Sequence, residues 1–283
     1  RPTSAQSHLF PRKFRRPLWL RKERLDGDTI LLHGEQGYGD MIQFCRYVPL
    51  VAELGAKVLL EVPRPLARLM ENLEGVDEVI VRGDQLPDFD YHCPLMSLPL
   101  AFDTRLETIP AKIPYLAANS GGRSVWQERL GDKSGPRIGI AWSGNPVHDN
   151  DRNRSIALDD FIEIVSESAQ FVCLQKEVRP ADHALLQQRS EILTFNEGVS
   201  DFQDTAELIA NMDLVISVDT SVAHLAGAMG KPVWILLPFN VEWRWFLDRS
   251  DSPWYPTARL FRQQTPGNWK PVLAAIAREL SLL

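Results

Sequence analysis

Cysteine is scarce in this 283-residue chain, with only Cys45, Cys93 and Cys173. No CxxC pair or Cys/His cluster occurs, so a structural zinc site is not expected. Each cysteine sits in an apolar setting (QFCRY, YHCPL, FVCLQ). That predicts buried, reduced thiols and suits a reducing compartment. Long hydrophobic runs are also missing. The longest, near Val233–Pro238, is far shorter than the roughly 20 residues that cross a bilayer. No apolar stretch near the start has the length of a signal-peptide core. The expectation is therefore a cytoplasmic protein with no membrane span. The chain opens on Arg1 rather than Met, so a fragment or a processed chain is expected.

What is present is a normal globular composition, 44% hydrophobic and 24% charged, which argues against disorder and fibrous repeats. The net charge is −6 and unevenly spread. Arg1 to Arg24 carry eight basic residues and one acidic one, leaving about −13 on the rest. Residues 1–25, with Pro2, Pro11 and Pro17, read as a basic linker or arm that Leu18, Trp19 and Leu20 could dock. The acidic body excludes nucleic acid as the main partner.

Apolar strand-like runs then alternate with helical spacing. Residues 29–33, 57–62, 78–82 and 91–96 read as strands, with helices over 41–54 and 65–73. A second series repeats the pattern. Its strands fall at 137–142, 171–175, 192–195, 214–218, 233–237 and 258–261. Its helices fall at 158–167, 181–189, 205–212, 221–229 and 269–283. Strand–helix alternation means parallel sheets with right-handed crossovers. Gly, Ser and Asp turn signals place a connector at 119–136, with a short helix near 125–130. The expected organisation is an N-terminal unit over 26–118 and a C-terminal unit over 137–283, both Rossmann-like, with a cleft between them.

Ligands in such sheets bind beyond the carboxyl ends of the strands, which selects four segments. The first is GEQGYGD, residues 34–40, where Gly37 and Gly39 allow a close backbone approach. Its spacing is not that of a dinucleotide site, and no P-loop lysine follows. Asp40 there is either a helix cap or a general base. The second is WSGNPVHDNDRNRS, residues 142–155, a long polar loop with Ser143, Arg152 and Arg154, whose guanidinium groups could hold phosphate. The third is Gln175, Lys176 and Glu177, placed to touch a ribose or base, or simply to cap a strand. The fourth is DTSVAH. Asp219, Thr220 and Ser221 end a strand and open a helix whose free N–H groups make an anion site, with His224 in the first turn. Trp243, Trp245 and Trp254 follow a strand end and fit either ring stacking or core packing.

At these residues the sequence resembles the heptosyltransferase family, glycosyltransferase family 9. DTSVAHLAGAMGKPVWILLP is similar to that family's nucleotide-binding stretch, and GEQGYGD to its N-terminal glycine segment. WSGNPVHDNDRNRS, LQKE and CRYVPLVA resemble the glycosyltransferase domains that follow tetratricopeptide repeats in bacteria. The resemblance implies a GT-B fold, meaning two Rossmann-like domains facing across a cleft. It also implies a nucleotide-sugar donor as the sole cofactor, with the diphosphate held by helix N-termini and basic side chains, and no metal. It implies Asp40 as general base and Arg154 where the family carries a phosphate-neutralising Lys. Glu177 would lie near the nucleoside, and Asp219, Thr220, Ser221 and His224 at the diphosphate and sugar. The implied partners are an acceptor protein or glycan, such as flagellin, and upstream tetratricopeptide repeats. A non-catalytic nucleotide-binding or interaction module is the alternative.

Overall fold

The computed structural model describes residues 14–283. The chain forms two compact units that divide between Leu116 and Ala117.

The first unit holds β1 (Thr29–His33), α1 (Tyr38–Phe44), α2 (Val48–Ala52), β2 (Lys57–Val62), α3 (Arg64–Met70), β3 (Glu78–Val81), β4 (Tyr91–Pro94) and α4 (Leu98–Ala101). Its four strands are parallel in the order β3-β2-β1-β4. Leu31 and Leu32 on β1 and Leu59 and Leu60 on β2 are all buried. Both faces of the sheet are covered, which is why these strands read as unbroken apolar runs. Each fully buried Leu or Ile side chain stabilises by about 1.5–3 kcal/mol.

The helix expected over 41–54 is broken. Pro49 has no N–H to offer the carbonyl of Cys45, so the chain tightens into a 3₁₀ turn at Cys45–Tyr47. The Val48 N–H takes the Cys45 carbonyl instead, and Pro49 falls in the first turn of α2, where it is tolerated.

From Phe14 the basic arm packs on the first unit. Leu18 bridges His92 in parallel, the His92 N–H donates to the Pro17 carbonyl (3.1 Å), and the Trp19 N–H to the His92 carbonyl (2.9 Å). The residues that fix it are Trp19 and Leu25, both buried, whereas Leu18 is 47% exposed. Its stretch from Arg1 to Lys13 lies outside the described residues.

The second unit holds α5 (Ser120–Leu130), β5 (Arg137–Ala141), α6 (Asp151–Arg154), α7 (Leu158–Phe161), β6 (Gln170–Cys173), α8 (Pro180–Gln187), β7 (Ile192–Leu193), α9 (Phe202–Ala210), β8 (Leu214–Val218), α10 (Ser221–Ala228), β9 (Val233–Leu237), β10 (Ala258–Arg262) and α11 (Lys270–Leu280). The parallel order β10-β9-β8-β5-β6-β7 is the doubly wound Rossmann order, reversing between β5 and β8. Ile138, Ile140, Trp142, Phe161, Phe171, Ile216 and Ile276 build its main core.

Most of the stretch 119–136, read in the sequence as a connector, is helix α5, and it falls in the second unit. The Asn119 side chain accepts the Gly121 N–H at 3.0 Å. A Cβ on Gly122 would lie 2.0 Å from the Glu207 carboxylate. Glycine there lets α5 lie directly on α9. The Asn211 amide also donates to the Arg123 carbonyl (3.1 Å).

All three cysteines are buried and free, and burial pushes each thiol up to about 12.

Candidate functional site

The sheet reversal in the second unit sets the strand ends of β5 and β8 side by side. The four-residue alternation Ile138↔Leu214 to Ala141↔Ser217 runs both chains out at the same level. Beyond β5 come Trp142, Ser143 and Gly144. Beyond β8 come Asp219 and Thr220, then α10.

Gln175 pegs the first of these turns. Its side-chain oxygen accepts the N–H groups of both Trp142 and Ser143 at 2.7 Å. Its amide nitrogen donates to the Ser143 hydroxyl (2.9 Å) and the Glu177 carbonyl (3.3 Å). Gln175 and Ser143 are buried and bonded to each other, so each shapes the turn. The Lys176 ammonium donates to the Ser200 carbonyl. Glu177 is exposed on the same strand end.

The polar loop 142–155 is shorter as a loop than the sequence implied, because α6 occupies its end. That helix separates its two arginines. Arg152 is exposed, and Arg154 points inward. The Arg154 Nη1 donates to the Asp219 carbonyl at 2.9 Å. The buried carboxylate of Asp151 lies 3.7 Å from Arg154 Nε. Arg179 reaches the same carboxylate and the Ser155 hydroxyl (3.0 Å). Arg179 carries no motif in the sequence; the Pro180 that follows it reads only as a helix start.

Thr220 is the N-cap of α10, as expected by position, but its side chain does not cap. Its hydroxyl turns back to Ser217 Oγ at 3.1 Å. The first-turn N–H groups are therefore left without a capping side chain, the condition under which a helix start attracts an anion. Ser221 opens the helix and is half-buried.

His224, in the first turn, lies between Asp219 and the aromatic side chains of Trp245 and Tyr255. Its Nδ1 bonds the Tyr255 hydroxyl at 2.8 Å, its Nε2 lies 3.7 Å from Asp219 Oδ1, and its ring stacks on Trp245 at 5.4 Å. The side chain is buried. One helical turn carries the imidazole inward, because Gly227 leaves room for the Tyr255 ring beside it. Of the tryptophans, Trp245 and Trp254 are buried and Trp243 is exposed. Core packing thus claims two of the three, one of them through His224.

Asp219 is buried, and burial raises its carboxyl pKa above the usual carboxylate range. Arg244, then the Trp245 N–H, then Arg154 pull it back down, and Glu242 pushes it up. The Trp245 indole approaches this carboxylate without closing a hydrogen bond of ordinary geometry.

In the first unit, the glycine segment follows β1. Gly37 is the N-cap of α1 at φ −70, ψ 168, an ordinary extended conformation, so the turn does not require glycine for its backbone. Gly34 is where space is short, since a Cβ would meet the Met41 side chain at 2.6 Å. Gly39 lies inside the first turn of α1. Asp40 is the third helical residue, and its Oδ2 accepts the Gly37 N–H at 3.1 Å. Glu35 is near enough to feel it. Its carboxyl is raised chiefly by burial, lowered by the Met96 N–H and raised by Asp40. Among the described residues no three His, Cys, Asp or Glu gather as a metal site. No helix among them is long and apolar enough to cross a membrane.

Residues 187–236, from the end of α8 into β9, match the model of glycosyltransferase family 9 (heptosyltransferase). This stretch of the second unit is similar to that family. The matched stretch contains Asp219, Thr220, Ser221 and His224 and leaves out Asp40, Ser143, Arg154 and Gln175 to Glu177. The glycosyltransferase family 9 structure from Veillonella parvula is 14% identical, with a TM-score of 0.63 over 92% of this chain and 98% of that one. Escherichia coli heptosyltransferase WaaC with ADP is 11% identical, with a TM-score of 0.58 over 90% and 99%. At these identities the likeness establishes the GT-B type of fold, two Rossmann-like units in one chain. Protein FlbA of Caulobacter vibrioides is 25% identical over 90% of this chain. The chain spans about half of that relative, 47% of its length.

Proposed function

We propose that this chain is a glycosyltransferase that binds a nucleotide sugar at the strand ends of the second unit and moves its sugar to an acceptor hydroxyl. The observation that carries the reading is the Arg154 guanidinium bonded to the Asp219 carbonyl, beside a helix start that no side chain caps. When the glycosidic bond to the diphosphate breaks, negative charge grows on the leaving oxygen. Fixed guanidinium and N–H donors stabilise that charge without reorganising, an effect worth several kcal/mol in enzymes of this kind. The positive charge in this scheme comes from side chains and helix N–H groups alone. Ser143, Gln175, Lys176 and Glu177 shape or border the nucleoside end.

Asp40 acts as the general base for the acceptor hydroxyl, a role supported by its place in the glycine segment that resembles the family. The acceptor is a protein or glycan, with flagellin as an example, and tetratricopeptide repeats lie upstream. These finer assignments rest on the resemblance of the motifs. A cytoplasmic setting agrees with the buried reduced thiols.

A second reading, a nucleotide-binding module without transfer, draws on one observation: Asp40 is already engaged as a helix cap by the Gly37 N–H. Calorimetry with ADP, UDP, GDP and CDP, followed by a transfer assay with the sugar conjugate of the base that binds, tests both. Binding with transfer supports the enzyme. Binding without transfer to protein or glycan acceptors supports the module.

A further inference from the structure

The segment that carries Arg154 is held by a set of part-buried polar contacts around the buried Asp151 carboxylate. Asp151 and Arg154 lie on α6 at i and i+3, one above the other. The Asp151 Oδ1 accepts the Ser155 hydroxyl at 2.8 Å, and its Oδ2 accepts Arg179 Nη2. The Ser155 hydroxyl in turn accepts the Gly144 N–H (3.0 Å) and Arg179 Nη2 (3.0 Å). Arg179 Nη2 also reaches the Gly144 carbonyl at 3.3 Å. Arg179 thus ties three points of the loop together from outside it.

Gly144 supplies the seat. A Cβ there would lie 2.6 Å from Arg154 Nη2, 2.8 Å from Cζ and 2.8 Å from Nε. The guanidinium lies against bare backbone, and any side chain at 144 would displace it. Two guanidinium groups share one buried carboxylate, so the cluster keeps a net positive charge. The carboxylate bonds Arg179 and attracts Arg154 from 3.7 Å, holding both nearby while leaving that surplus for an anion.

We infer that Asp151, Arg179 and Gly144 are positioning residues that aim the Arg154 guanidinium at the donor diphosphate. The inference rests on the donor-site reading above and adds residues that act on the ligand only through Arg154. An arginine with no such partners would spend binding free energy on being ordered. Here the ordering is done in the folded chain before any ligand arrives.

The test is a double-mutant cycle read by calorimetry, using whichever of ADP, UDP, GDP and CDP binds wild type most tightly, and the matching nucleoside. Arg154→Ala is expected to weaken diphosphate binding by about 10- to 100-fold. Asp151→Asn is expected to lose about 10-fold alone and less than about 2-fold in the Arg154→Ala background, because coupled residues are not additive. Nucleoside affinity stays at the wild-type value in both, which general damage to the unit would not allow. Gly144→Ala leaves every charge in place and guards against misfolding of Asp151→Asn; it is expected to copy the loss. Arg179→Lys should recover part of the affinity that Arg179→Gln loses. Equal losses from Asp151→Asn in both backgrounds overturn the positioning role and leave the donor site standing. Wild-type affinity in Arg154→Ala overturns the assignment of Arg154 and the positioning role with it. No binding of any diphosphate to wild type removes the donor-site reading itself, and the inference falls with it.

Discussion

Arg154 and Asp219, 65 residues apart in sequence, meet through a 2.9 Å hydrogen bond from a guanidinium to a main-chain carbonyl. That bond ties the loop after β5 to the end of β8, at the reversal of the second sheet. It uses the backbone of Asp219 and not its carboxylate, so the side chain of Asp219 is left to other partners.

Arg154→Lys tests the geometry of this contact separately from its charge. Lysine keeps the positive charge but has no planar fork, so it cannot hold the Asp219 carbonyl and an anion in one plane. Nucleoside diphosphate affinity is expected to fall by about 10-fold, within the range for losing one charge-assisted hydrogen bond. Titration calorimetry reads it, and unchanged affinity would mean that charge alone suffices.

Asp40→Asn separates capping from catalysis. Asparagine can still accept the Gly37 N–H, so α1 keeps its start. It cannot accept a proton, and sugar transfer is expected to drop by about 10²-fold or more. Donor affinity and Tm should match wild type. Wild-type turnover in this variant would remove Asp40 from the chemistry.

The parallel sheets and the β8–α10 junction were legible because buried parallel strands read as unbroken apolar runs, and LVISV followed by small residues is such a run. Helix α5 was read short because Gly121 and Gly122 look like a turn; what holds them helical is the close packing of Gly122 on Glu207. The start of α1 was hidden for the same reason, since Gly37 and Gly39 flank Tyr38. His224 does lie beside Asp219, but its second partner was not legible, because nothing local to DTSVAH reports a tyrosine 31 residues away. Arg179 was missed entirely. Its partners Gly144, Asp151 and Ser155 lie on another strand's loop, and only the fold brings them to it.

Burial of the Asp219 carboxyl works against stability near neutral pH. Its folded carboxyl pKa is raised above 3.8 by burial, despite the opposing pull of Arg244, Trp245 and Arg154. The folded chain therefore binds this proton more tightly than the unfolded chain does. Stability falls as pH rises from 3.8 through the raised value, and the penalty is complete above it. Asparagine carries no such penalty. Asp219→Asn should match wild type in Tm below pH 3.8 and exceed it increasingly as pH rises, up to a constant margin near neutrality. Comparing the two proteins at each pH cancels the titration of other groups. A variant less stable than wild type at pH 7 would show that the attraction to Arg244 and Arg154 outweighs burial.

Gly227→Ala probes how the interior of α10 is set by Tyr255. Alanine favours a helix over glycine by about 1 kcal/mol, so propensity alone predicts a more stable protein. Packing predicts the reverse. The added Cβ would lie 2.5 Å from the Tyr255 ring, an atom pair that cannot coexist unless the ring moves. Overpacking of this kind costs about 1–3 kcal/mol, so the sum is a net loss and a Tm lower by several degrees. The displaced ring would also pull its hydroxyl off His224 Nδ1. Tyr255→Phe isolates that second effect, since it keeps the ring and removes only the hydroxyl, at a cost of about 1 kcal/mol. A larger loss in Gly227→Ala than in Tyr255→Phe, measured by thermal denaturation, shows that volume and not the hydrogen bond fixes glycine at 227. The opposite order would place the weight on the His224–Tyr255 bond.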